Sequence, residues 1–113
     1  MKTILFVNPL RPGKLKEYKA FTAEITGPRV KEYTDLLKRY HLKNAEVWTH
    51  KLGDVEYVIV RHEIENNVAD PLANWASSNH PFDLWFKEKL NNLHDMENVT
   101  PPNFLFSFDT EKK

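Results

Sequence analysis

At 113 residues the chain suits one domain spanning 1–113, large enough to bury a real core without staples. Lys+Arg (16) and Asp+Glu (16) cancel to zero formal charge, so the chain lacks the basic excess that holds nucleic-acid phosphates or anionic membrane surfaces. The absence of cysteine excludes disulfides, thiolate metal sites and cysteine nucleophiles.

Thr3 to Pro9 is nearly continuously apolar with β-branched content, the pattern of a strand covered on both faces. The run is too short for a signal-peptide core with a cleavage site or for a membrane span, so the expected location is the cytoplasm. Arg11-Pro12-Gly13 reads as a turn. Leu15, Tyr18, Phe21 and Ile25 then mark one face of a helix. Gly27-Pro28 breaks it, with Gly suited to the helix end and Pro to the first turn of the next. Val30, Tyr33, Leu36, Leu37 and Tyr40 continue as a second amphipathic segment, predicting a bent helix pair.

Ala45–His50 and Val55–Ile64 are strand-like, joined by Lys51-Leu52-Gly53-Asp54, where Gly53 supplies the positive φ of a tight hairpin. Asp70-Pro71 opens a short helix carrying Leu72, Trp75 and Ala76. Asn79 or His80 before Pro81 opens another, with Phe82, Trp85, Phe86, Leu90 and Leu93 on its apolar face. After Pro101-Pro102, the alternation of Phe104, Phe106 and Phe108 with Leu105, Ser107 and Asp109 predicts a last strand. Asn98-Val99-Thr100 matches a glycosylation sequon, read here as chance.

The order is βαββαβ, an α+β chain with the split pattern of the ferredoxin-like fold: an antiparallel four-stranded sheet, strands one and three central, and helices on one face. Strands one and three are apolar on both faces, so the free face needs a cover. A second copy of the sheet is the expected cover, giving a homodimer through the sheet face. The alternative is a monomer that covers itself with its C-terminal segment.

None of the five histidines stands at a metal-ligand spacing, so no metal site is expected. His41 reads as a solvated cap, and His94 as a cation near a helix C-terminus. Glu46, Trp48 and His50 share a face of strand two. Tyr57, Ile59, Arg61 and Glu63 share one face of strand three, and Val58, Val60 and His62 the other. Trp48, Tyr57 and Arg61 are candidate ligand contacts if their face lines a cavity, and core or rim residues otherwise. Trp75, Trp85 and Phe86 read as helix core or as a platform for a flat ligand. The three glycines form no phosphate loop, no nucleophile elbow is present, and no cofactor is implied.

Asp35 to Trp48, followed by the strand ending Glu63-Ile64-Glu65, resembles the L-rhamnose mutarotase family of the dimeric α/β-barrel superfamily. Glu17-Tyr18 early in the first helix, the spacing of Pro28 to Asn44, Trp85-Phe86-Lys87 and the Pro-containing approach to the last strand extend the likeness over most of the chain. The resemblance implies a dimeric barrel that binds a sugar-like small molecule, or an isomerase interconverting sugar anomers with a Tyr, a His and a Trp pair. Tyr18 then matches the tyrosine, Trp85 the first tryptophan, and Phe86 stands at the second. The family's histidine is absent: Thr22 takes its place counting from Tyr18, Thr26 counting back from Pro28. His50 and His62 are the candidates to replace it in proton transfer. The superfamily also implies a further alternative, a monooxygenase or haem-handling role.

Overall fold

The computed structural model describes residues 2–66, 68, 71–96 and 102–111, with backbone alone for 71–73. Strand β1 (Lys2–Pro9) runs antiparallel to β3 (Val55–Ile64), which in turn pairs with β2 (Glu46–Leu52). The sheet is open and three-stranded in the order β1-β3-β2, so β3 is central and β1 is an edge, not central as expected. The hairpin forms at Gly53-Asp54, where Leu52 faces Val55 and Gly53 sits at φ 61°.

The anticipated fourth strand does not form: residues 102–111 make no ladder. Phe104 (80%), Leu105 (85%), Phe106 (77%) and Phe108 (80%) are almost fully exposed. Alternation supplies a strand's side-chain pattern, but a ladder also needs an edge partner, and β1 pairs only with β3. The sequon and Asp70 lie outside the described residues.

Helices α1 (Leu15–Thr26) and α2 (Val30–Arg39) form the bent pair. α1 turns Tyr18, Phe21 and Ile25 inward, as its three-to-four spacing requires. Gly27 closes it at φ −119°, so the glycine is needed for space: a Cβ there would lie 2.8 Å from the Ala23 carbonyl oxygen. Pro28 precedes the α2 N-cap, Arg29, instead of standing in its first turn. Then come α3 (Pro71–Ala76) and α4 (Pro81–Leu93). His80 caps α4, its Nδ1 accepting from Phe82 N at 3.2 Å, with Pro81 just inside the helix.

The helices lie on one face of the sheet, against Val58 and Val60. The helical layer is pinned by one buried carboxylate. Asp83, wholly buried, takes two 2.8 Å bonds from Arg39, one from Ser78 Oγ at 2.7 Å and one from the Tyr40 hydroxyl. Burial raises its pKa, but the bonds from Arg39, Ser78 and Tyr40 outweigh that and hold it well below the usual carboxylate range. Because Arg39 and Tyr40 end α2 while Asp83 begins α4, this cluster sets how the two helices sit over the sheet. The arrangement is mixed α/β, consistent with a ferredoxin-like fold.

Candidate functional site

A cavity of about 510 Å³ lies between the sheet and the helices. Its floor comes from one side of each strand: Ile4, Phe6 and Asn8 of β1, Val60 and His62 of β3, and Val47 of β2. The side-chain alternation of a strand makes this set obligatory once one member faces inward. The helices add Tyr18, Phe21 and Ile25, then Leu36, and Phe86 and Leu90 from α4. Trp75 closes one side, edge-on to Phe86 at 5.5 Å and to Tyr40 at 5.8 Å. Phe86 stacks nearly parallel on Tyr33 at 5.9 Å.

The wall's polar groups are few. His94 departs from the sequence reading, which made it a cation near a helix C-terminus. It is 1% exposed and lines the cavity, its ring 5.5 Å from that of Tyr18. The chain is drawn inward there because Arg11 N bonds Leu93 O at 2.8 Å and Asp95 N bonds Pro9 O at 3.2 Å, tying the end of α4 to the end of β1. Burial lowers the pKa of His94, against a backbone bond from its Nδ1 to Pro9 O at 3.3 Å. A neutral ring whose Nδ1 donates to a carbonyl keeps its Nε2 lone pair as an acceptor. His62 repeats the logic. Burial lowers its pKa, and its Nδ1 lies 2.8 Å from Asn44 O. Asn44 is itself clamped to Glu63 by two bonds, 2.7 Å to the carboxylate and 3.0 Å from the backbone N–H.

Burial, with a smaller contribution from Tyr33, raises the Tyr18 pKa far above its ordinary value, so its phenol stays protonated and acts as a donor. Asn8 Oδ1 is buried with no hydrogen-bond partner among the described residues. Lys87 also reaches the wall, but its ammonium is held by the carbonyls of Trp75, Ala76 and Ser78 at 3.0–3.3 Å. The Thr22 hydroxyl donates to Lys19 O at 2.8 Å, and that of Thr26 to Thr22 O at 2.7 Å. Thr22 lines the cavity and Thr26 does not.

Of the residues singled out from sequence, Tyr18, His62, Trp75 and Phe86 meet at the cavity. Trp85 does not line it. Its ring lies under the Arg29 guanidinium at 4.0 Å and packs on Phe82 and Phe21. His50, Trp48, Tyr57 and Arg61 stand on the opposite face, shown by the register Glu46↔Arg61, Trp48↔Ile59 and His50↔Tyr57. There Arg61 pairs with Glu46 at 2.7 Å. Sequence reasoning missed His94 and Asn8. Asn8 had a signal, since it continues the Ile4, Phe6 alternation as a lone polar residue. His94 had a weaker one, four residues beyond Leu90 on the apolar stripe.

Among the described residues no group of three or more His, Asp or Glu is placed to hold a metal ion, and no helix is long and apolar enough to cross a membrane.

No protein-family model matches the chain, and no curated protein matches it in sequence. A solved structure matches it in fold. An L-rhamnose mutarotase from Formosa agariphila is 13% identical, superposes with a TM-score of 0.64, and is matched over 96% of this chain and 100% of its own. At that identity the likeness speaks for the fold, and the two chains share it essentially end to end.

Proposed function

We propose that this protein binds a small molecule in the cavity between sheet and helices, with Tyr18, His62 and His94 meeting the ligand's polar atoms. One observation carries the reading: an apolar chamber of about 510 Å³ whose wall holds a protonated phenol beside a neutral imidazole. NMR exchange spectroscopy on a panel of reducing sugars tests it first. Line broadening or faster anomer exchange for some sugar supports it. Silence across the panel removes sugars as the ligand.

A mutarotase-like isomerase is the second reading, favoured by the fold shared with an L-rhamnose mutarotase. Anomer exchange breaks the bond from the anomeric carbon to the ring oxygen. The ring oxygen gains a proton as the anomeric hydroxyl loses one, and closure on the other face reverses both transfers. His94 or His62 would take the hydroxyl proton at Nε2 as Tyr18 gives its phenol proton to the ring oxygen, and on closure the imidazolium and the phenolate exchange these protons back. Burial raises the pKa of that phenol and makes the proton transfer costly, which ranks binding ahead of catalysis.

Self-association belongs to the same proposal. Leu5, Val7, Trp48 and Ile59 lie on the sheet face away from the helices, and Trp48 is 48% exposed. A second copy of this chain covering that face, and completing a dimeric α/β barrel, would bury them.

A further inference from the structure

We infer that the cavity selects a neutral molecule with an apolar body and at least one hydroxyl or N–H donor, and discriminates against carboxylates and phosphates. The inference deepens the binding proposal and rests on it.

The first support is Asn8, which lines the cavity and whose buried Oδ1 has no donor among the described residues. A buried acceptor left unmatched carries a desolvation penalty that a ligand donor relieves once the amide turns to meet it. The second is the state of the imidazoles. Both Nδ1 atoms face backbone carbonyls, of Asn44 and Pro9, so both rings offer Nε2 as a further acceptor. Tyr18 is then the donor whose ring stands beside one of these acceptors. This set matches a hydroxyl, which both donates and accepts.

The third support is what the wall withholds from an anion. No arginine lines it among the described residues. The one lysine among the described wall residues, Lys87, points its ammonium at three backbone carbonyls, which take all three of its N–H bonds. Arg29 and Arg39 are engaged elsewhere, by Glu32 and Asp83. A carboxylate entering this chamber would lose its water, meet two imidazole acceptors and find the N–H bonds of Lys87 already given to carbonyls.

The fourth is the body of the chamber. Ile4, Phe6, Phe21, Leu36, Val60 and Leu90 present hydrocarbon on opposing sides. Ligand hydroxyls that face these groups would stay unpaired, so the ligand's donors belong at the side of Asn8, Tyr18 and the histidines.

Equilibrium dialysis of the full chain against 1-naphthol, 1-methoxynaphthalene and 1-naphthoate tests the inference. The three share one ring system and differ in head group: donor, capped donor, anion. 1-Naphthol should bind roughly 3- to 10-fold tighter than its methyl ether, the size of one hydrogen bond, with the carboxylate weakest. Asn8→Leu should erase the preference of 1-naphthol over the ether, read as the ratio of the two affinities within the variant. Wild-type affinities alone decide the matter if that variant fails to fold. Naphthoate binding as tightly as naphthol would overturn the inference, as would an ether equal to the alcohol. If no naphthalene binds but a sugar responds in the exchange panel, the chamber is a site and this ligand class is wrong. Silence in both overturns the site itself.

Discussion

Tyr18 and His94, from opposite ends of the chain, meet ring to ring at 5.5 Å on the wall of one cavity, at an interplanar angle of 65°. Tyr18→Phe keeps the ring and removes the hydroxyl, so stability should change by less than about 1 kcal/mol. Any anomer exchange the wild type shows should fall at least roughly a hundredfold in Tyr18→Phe and in His94→Gln. Parallel urea unfolding and NMR exchange separate the two effects. Full exchange in both variants would end the isomerase reading.

Trp85 and Trp75 should part company. Trp85→Ala strips the ring from under Arg29 and off Phe82, and should destabilise by about 2–4 kcal/mol. The affinity of the folded fraction for a cavity ligand should stay unchanged, since Trp85 lies off the wall. Trp75→Ala should weaken binding, because Trp75 is wall. Denaturant midpoints with dialysis on each variant check this.

Asp83 gives an acid limb. Its folded pKa lies below the unfolded value, so its stabilisation is present above about pH 4 and is lost as pH falls below that. Asp83→Asn should cost about 2–3 kcal/mol at neutral pH, discounted because Arg39 is partly exposed. The variant should also show a flatter loss of stability below pH 4. An unchanged acid limb would remove Asp83 from the account.

The two cavity histidines give a second pH window. Burial holds both pKa values below the ordinary 6.5, so the unfolded chain binds more protons as pH falls through that value. Their stabilisation is full above about pH 6.5 and declines below it. Urea midpoints should therefore drop between roughly pH 7.5 and 5.5. The drop should shrink in a His62→Gln/His94→Gln double variant.

The sheet-face dimer is checked by light scattering on the full chain, which should give twice the monomer mass. Trp48→Glu puts a charge beside Ile59 on that face and should weaken pairing roughly tenfold or more, with an unchanged circular dichroism spectrum. A wild type that stays monomeric at high concentration would remove the dimer.

The helices were legible because Tyr18, Phe21 and Ile25, and later Phe82, Phe86 and Leu90, recur at the spacing that puts them on one stripe. The hairpin was legible because Gly53 permits the φ its turn requires. The pairing of residues onto strand faces was legible too: Trp48 with His50, and Val58 with His62. Which face would meet the helices was not. Alternation is the same seen from either side of a sheet, and only the path of the α1–α2 crossover chose the side holding Asn8 and His62. The tail shows the same limit, since Phe104, Phe106 and Phe108 carry a strand's alternation and no edge receives them. His94 lies past the last helical turn, where periodicity no longer dictates direction. The backbone bonds to Pro9 and Arg11 turned it into the cavity. Local pattern thus determined the elements and their faces, while contacts between distant segments decided which side chains meet a ligand.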